Sequence, residues 1–318
     1  MAQSYDQNQS AEVTDIWSEV PEMGYMGPEE IKAWEPYPAL RQNEQSLHRA
    51  EQRMKDIKEW SPHQLLGRRW PIACVALEIT QRCNLDCTLC YLSERSEEVK
   101  DIPLEEVYRR IDMIHQHYGD NTDVQVTGGD PTLRKREELM LIIRRIRSLN
   151  MRPSLFTNGI KCTRDLIVEM IDAGLVDIAF HVDTTQERKG YTDEKSLNKI
   201  RLDYIDRARG LPVSIFFNTT VHAGNFDEIP DVVKFFSQHT DVVRLASFQL
   251  QADTGRGVLR ERKFLINPDT VSEQIEKGVG TKLSFDVPLV GHPKCNRYAM
   301  ALEVNGRMFD MFDEKEFV

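Results

Sequence analysis

The chain has 318 residues, 40% hydrophobic and 29% charged, with a formal net charge of −10. That supports one large domain with a smaller attachment, or one barrel with extensions. The acidic balance argues against non-specific binding to nucleic acid or anionic membrane, and no apolar run approaches the roughly 18 residues needed to span a bilayer.

Residues 1–70 are polar, rich in Glu and Gln, and broken by Pro21, Gly24, Gly27, Pro28 and Pro36. They read as an N-terminal extension with a short helix at about 40–59. Its role is an arm on the main domain or, alternatively, a lid or partner-binding segment. The opening Met-Ala-Gln-Ser-Tyr-Asp lacks the basic and apolar regions of a secretory signal. Six cysteines in a long chain, three of them clustered, do not suggest a disulfide framework. Both points lead to an expected cytoplasmic location and no transmembrane segment.

From 71 onward strands and helices alternate. Residues 72–80 form an apolar, β-branched run that predicts a buried strand, with Cys74 in the core. Pro103 opens a helix on which Leu104, Val107, Tyr108, Ile111 and Ile114 recur at helical spacing. A strand over 123–127 ends in Gly128-Gly129, with Pro131 setting the start of a helix that carries Leu139, Ile142, Ile143, Ile146 and Leu149 on one face. A strand over 153–157 closes on Asn158-Gly159. Thr163 caps the next helix, near Cys162, and Gly174 ends it.

Strands at 176–182, 213–221 and 242–248 follow, with helices at about 193–209 and 228–238 between them. Six strand–helix units then fit between 72 and about 277. Regular alternation implies a parallel sheet with right-handed crossovers. The expected class is α/β: a partial (β/α)6 TIM-like barrel over 71–277, followed by a C-terminal extension over 278–318. A doubly wound open sheet is the competing architecture. In the extension, a strand at about 299–304, Asn305-Gly306 and a second strand predict a hairpin.

Chemistry concentrates at the expected C-terminal ends of the strands, where barrels of this kind place their sites. Cys83, Cys87 and Cys90 stand in Gln-Arg-Cys-Asn-Leu-Asp-Cys-Thr-Leu-Cys-Tyr, directly after the first strand. Three thiolates in that span hold three irons of a four-iron cluster and leave the fourth open to a small molecule. A structural zinc site needs a fourth ligand, and His63 and His115 lack a ligand-like spacing.

The cysteine motif and the motifs behind it, over about residues 72–250, resemble the radical SAM superfamily. The resemblance implies a [4Fe–4S] cluster on Cys83, Cys87 and Cys90, with S-adenosylmethionine chelating the fourth iron. It implies an enzyme that cleaves this cofactor reductively to a 5′-deoxyadenosyl radical, which abstracts hydrogen from an organic substrate. An external electron donor of flavodoxin or ferredoxin type is expected. The substrate is a small molecule, a peptide or a lipid, with peptide modification leading and lipid or cofactor biosynthesis as the alternative. No nucleic-acid partner is expected.

The resemblance also implies cofactor contacts. Gly128-Gly129-Asp130 matches the family's glycine-rich turn, which usually ends in Glu; the glycines allow close approach and the carboxylate accepts from the cofactor ammonium. Asn158 is a candidate for ribose or carboxylate, or else a turn residue. His181 and Asp183 share a face, with Asp183 a candidate for ribose hydroxyls and His181 for cofactor or substrate, or else a core histidine. Asn218 and Thr220 share a face of the fifth strand and are candidates for cofactor or substrate. Arg244 is a candidate for the cofactor carboxylate or a core salt bridge. Leu89 stands where an aromatic often packs near the adenine, so Tyr91 is an alternative contact.

His292 and Cys295 are candidates for a metal, a hydrogen-atom donor or a substrate contact, with a buried thiol as the default. The loop 254–263, with Arg256, Arg260, Arg262 and Lys263, is a candidate clamp for a substrate phosphate or carboxylate, or a solvated loop. Two rivals from other classes are an iron–sulfur electron carrier or redox sensor, for which Cys162 or Cys295 would close the cluster, and a scaffold that has lost catalysis.

Overall fold

Each strand carries apolar residues at alternate positions, and each helix carries them on one face, so every element has one side to bury. The computed structural model describes residues 74–93, 95–252, 255–257, 266–285 and 296–312. Segment 1–70, His292, Cys295 and most of the 254–263 loop lie outside the described residues.

In chain order the elements are β1 (Cys74–Thr80), α1 (Leu104–Tyr118), β2 (Asp123–Gly128), α2 (Arg136–Ser148), β3 (Arg152–Thr157), α3 (Arg164–Asp172) and β4 (Asp177–His181). Then come α4 (Glu194–Ala208), β5 (Ser214–Val221), α5 (Ile229–Ser237), β6 (Val243–Leu250) and α6 (Pro268–Val279). A pair of short strands, β7 (Ala301–Val304) and β8 (Arg307–Asp310), completes the described chain.

The six strands form one sheet in the order β1-β2-β3-β4-β5-β6, and every neighbouring pair is parallel. A strictly sequential order with right-handed crossovers winds one way only, as in a partial barrel; a doubly wound sheet reverses its order midway. Among the described residues β1 and β6 do not pair, so the sheet is not closed.

One face of the sheet holds the core. Leu77, Ile79, Val124, Val126, Leu155, Ile178, Phe180, Ile215 and Phe217 pack against Val107, Ile111, Ile142, Ile143 and Ile146 from the helices. Ile111, Ile142, Ile143 and Ile146 are completely buried. Truncating one of them to Ala costs about 2–5 kcal/mol. The opposite face carries polar residues, among them Glu78, Gln125, Thr127, Ser154, Asp177, His181 and Thr220, together with Phe156, Ala179 and Phe216.

Local signals behave as their chemistry dictates. The Thr163 hydroxyl accepts from the Leu166 N–H and caps α3. Asn305 and Gly306 turn the β7–β8 hairpin with φ of 52° and 79°, the left-handed pair that a tight hairpin needs.

Three expectations are corrected. Cys74 is exposed, because the buried positions of β1 are Leu77 and Ile79 and Cys74 falls on the other face, accepting from Gln125 Nε2 at 2.9 Å. Pro131 opens a single 3-10 turn over Pro131–Leu133, and α2 begins only at Arg136. Arg244 is exposed and sits near the N-terminal start of β6, beside an irregularity in its pairing with β5. The cysteines lie past the opposite end of the sheet, so neither a buried salt bridge nor a cofactor contact is set up at Arg244. No described helix is long and apolar enough to cross a membrane.

Candidate functional site

The cysteine loop leaves β1 at its C-terminal end and is tied down along its length. At the start, Arg82 is paired with Asp101 at 2.6 Å, and its guanidinium also donates to the Leu133 carbonyl at 3.0 Å. The glycine-rich turn meets the same stretch: Gly129 N–H donates to the Thr80 carbonyl at 2.9 Å and Asp130 N–H to the Arg82 carbonyl at 2.7 Å. A Cβ on Gly128 would collide with the Thr80 carbonyl, and one on Gly129 with the Arg82 carbonyl. The two glycines are therefore required by the backbone entering the cysteine loop.

From the end of β3, Asn158 Nδ2 donates to Asn84 Oδ1 at 2.7 Å and lies 3.7 Å from Cys83 Sγ. From the end of β4, the Thr185 carbonyl accepts the Thr88 N–H at 3.0 Å. From the turn Gly255–Gly257 after β6, Arg256 N–H donates to the Cys90 carbonyl at 2.8 Å. Cys83 N–H donates to Glu97 Oε1 at 2.7 Å, and the Tyr91 hydroxyl donates to the Gly128 carbonyl at 2.9 Å.

Asp130 and Asp183 are both completely buried. Asp130 Oδ1 accepts from the Thr132 N–H at 2.9 Å and the Thr132 hydroxyl at 2.5 Å. Its Oδ2 accepts from the Thr157 hydroxyl at 2.8 Å and the Asn158 N–H at 2.9 Å. Asp183 Oδ1 accepts from the Thr185 N–H at 3.0 Å and hydroxyl at 2.5 Å. Its Oδ2 takes the Thr220 N–H at 2.7 Å and stands 2.7 Å from His181 Nε2. Neither carboxylate is exposed at the mouth of the sheet.

His181 is partly exposed and also lies 3.1 Å from the Thr220 hydroxyl. Burial opposes ionisation of both partners, but their mutual attraction outweighs it. The Asp183 carboxyl is held well below the usual carboxylate range, helped by Thr185 and Thr220, and the His181 imidazole is raised. Asn218 is buried and pairs with His181 across the β4–β5 ladder. Behind this pair, buried Glu194 accepts from the Thr184 N–H at 2.9 Å and from Asn225 Nδ2 at 2.8 Å, and pairs with buried Arg201. Arg201 also donates to the Val182 carbonyl at 2.8 Å.

The structure thus gathers Cys83, Cys87, Cys90, Gly128, Gly129, Asp130, Asn158, His181, Asp183 and Asn218 at one end of the sheet, and leaves Arg244 at the other. Sequence reading missed Thr88, Glu97, Asp101, Thr185, Glu194 and Arg201. One signal was readable: Asp130-Pro-Thr132 and Asp183-Thr-Thr185 repeat the spacing Asp-x-Thr after a strand. Arg256, a candidate for a substrate clamp or a solvated loop, touches the cysteine loop.

The donor set fits an iron–sulfur cluster. Cys83, Cys87 and Cys90 are free thiols, each partly buried. Burial pushes the Cys87 thiol up to about 12, with Asp183 and the other two cysteines adding to it and Arg256 opposing. Burial also raises Cys83. Such thiols release their protons to a metal centre and otherwise keep them. Among the described residues no three His, Cys, Asp or Glu side chains form a preformed site for a single ion. A thiolate-only set of three suits a polynuclear cluster, and the Leu92 N–H at 3.4 Å from Cys90 Sγ is the kind of sulfur contact that tunes one.

The family model for the radical SAM superfamily matches residues 77–236. Among curated proteins, the chain is 27% identical over 226 residues to a 7,8-dihydro-6-hydroxymethylpterin dimethyltransferase of Methanocaldococcus jannaschii, covering 67% of this chain and 44% of that protein. It is 26% identical over 172 residues to a PqqA peptide cyclase of Bradyrhizobium diazoefficiens, covering 52% and 43%. The chain spans about half the length of the curated relatives it matches. Among solved structures, Streptococcus suis SuiB bound to precursor peptide SuiA aligns with a TM-score of 0.51 at 13% identity, covering 84% of this chain and 59% of that one, and shares the fold. With half its length under the family model and its thiols grouped where the sheet ends, this chain belongs to the radical SAM superfamily, whose [4Fe–4S] cluster and S-adenosylmethionine are its cofactors.

Proposed function

We propose that the chain is an enzyme that binds S-adenosylmethionine at a [4Fe–4S] cluster on Cys83, Cys87 and Cys90 and turns it on an organic substrate, a peptide first among the classes. The observation that carries this reading is the three-thiol loop braced by the ends of β2, β3 and β4 and by the turn after β6. When bound, the cluster and cofactor supply a reductively generated 5′-deoxyadenosyl radical that abstracts hydrogen.

The chain's own residues hold and shield this chemistry. Asn158 orients Asn84 beside Cys83. Asp130 and Asp183 act as positioning residues; their oxygens are already taken by the turns they cap and by the neighbouring strands. His181 and Asn218 stand at the mouth as candidates for contact with cofactor or substrate. Gly128 and Gly129 shape the strand-end turn beside them.

The face that leads to the mouth carries Glu78, Gln125, Thr127, Ser154 and Thr220 among the described residues. The same face also carries Phe156 and Phe216 in edge contact, so it offers a substrate both hydrogen bonds and apolar contact. The similarity to a peptide cyclase supports the peptide class, and the similarity to a pterin dimethyltransferase supports a cofactor-biosynthetic substrate as a second reading. The electron-carrier alternative is disfavoured at Cys162, which is fully buried in the hydrophobic core with its thiol pushed up to about 12 by burial. A cytoplasmic setting with an external donor of flavodoxin or ferredoxin type completes the proposal.

The test is anaerobic. Protein reconstituted with iron and sulfide is mixed with dithionite and S-adenosylmethionine, and 5′-deoxyadenosine is assayed. Product is expected. Its absence from protein carrying a full cluster overturns the proposal.

A further inference from the structure

The segment after β6 reaches back to the cysteine loop through two consecutive residues, Gly255 and Arg256. Gly255 has a φ of 53°, and a Cβ there would collide with the carbonyls of Cys90 and Tyr91. Only glycine lets the chain come so close. Arg256 follows. Its N–H donates to the Cys90 carbonyl at 2.8 Å, its Nη1 lies 3.3 Å from the Cys87 carbonyl, and it pairs with Asp86.

The Arg256 side chain is 13% exposed, whereas its partner Asp86 is 90% exposed. Arg256 Nε is buried and has no hydrogen-bond partner among the described residues. One solvated carboxylate compensates the guanidinium only weakly. A largely buried cation has thus been placed against the Cys87 backbone, while the Arg256 main chain holds that of Cys90.

We propose that Arg256 sets the reduction potential of the cluster by compensating the negative charge that reduction adds. This rests on the reading that the three cysteines carry a [4Fe–4S] cluster. Three thiolates already make such a cluster anionic, and one electron from a low-potential donor makes it more so. A fixed cation beside the ligating loop favours the reduced form and raises the potential. Gly255 is the residue that brings the cation in. Arg256 is therefore a positioning residue for electron uptake, not a substrate clamp.

The experiment is an EPR-monitored redox titration of anaerobically reconstituted Arg256→Gln, Arg256→Lys and Gly255→Ala beside the unaltered protein, at equal iron per chain. No S-adenosylmethionine is added, so the readout does not depend on turnover. Arg256→Gln is expected to shift the midpoint to a more negative value and Arg256→Lys to stay near the parent. Gly255→Ala, which changes no charge, is expected to shift in the same direction as Arg256→Gln. Unchanged midpoints in Arg256→Gln and Gly255→Ala overturn the proposal, and so does an equal shift in Gln and Lys. Loss of the cluster from Arg256→Gln but not from Arg256→Lys supports the role of charge; equal loss from both overturns it. A parent protein that takes up no cluster overturns the cluster reading itself, an outcome distinct from all of these.

Discussion

Asp130 and Asp183 stand at the ends of β2 and β4 and make the same set of contacts. Each caps a one-turn 3-10 helix and binds the N–H and hydroxyl of the threonine two residues on. Each also takes a backbone N–H from the next strand, Asn158 beyond β3 and Thr220 in β5. The two carboxylates thus join β2 to β3 and β4 to β5 at the end of the sheet that carries the cysteines.

Replacing Asp183 with Ala strands the Thr185 and Thr220 N–H groups in a buried site. A loss of about 2–4 kcal/mol is expected in urea unfolding of the apoprotein. Asp130→Ala is expected to cost a similar amount through Thr132 and Asn158. A change below about 0.5 kcal/mol in either variant would contradict the bracing role.

Asp177 and Asp183 predict opposite responses to pH. Burial, then Asp123, raises the Asp177 carboxyl to about 6, and one of its oxygens is buried without a partner among the described residues. A raised carboxyl favours the folded state while protonated, so this contribution is full below about pH 4 and is lost as pH rises toward about 6. Asp177→Asn is expected to stabilise the protein at neutral pH by on the order of 2 kcal/mol, after allowing for solvent screening. It should also remove that slope from a plot of unfolding free energy against pH. The lowered Asp183 carboxyl works the other way: its contribution is present above the normal carboxylate range and is lost on acidification.

Gly129→Ala places a methyl group against the Arg82 and Gln81 carbonyls at the entrance to the cysteine loop. Iron bound per chain after reconstitution is expected to fall several-fold while far-UV circular dichroism stays unchanged. Full iron uptake would show that the loop tolerates displacement.

Cys87→Ala is expected to lose the visible absorption of the cluster and the formation of 5′-deoxyadenosine together. Product formed by this variant would contradict the ligand assignment.

The strands and helices were legible because their signals are local. Alternation in β5 and the helical spacing of Val107, Ile111 and Ile114 need only a few neighbouring residues. Cys74 was misread because an apolar run hides which alternate set faces the helices. The cysteine motif was legible for the same local reason, and so was its place after a strand. The partners of the buried carboxylates were not, since Asp130 meets Asn158 across 28 positions and Asp183 meets Thr220 across 37. Arg256 meets Cys87 across 169 positions, and nothing in a glycine-flanked basic run distinguishes a solvated loop from one turned inward.

The cysteine loop has a mechanical consequence. It is pinned to strand ends that are neighbours in space but far apart in the chain, so it acts as a drawstring across the rim of the sheet. Metal loading should then slow amide exchange at Asn158, Thr185 and Thr220, which ligate nothing. Oxygen damage to the cluster should spread as slackening along the same rim before any helix unravels.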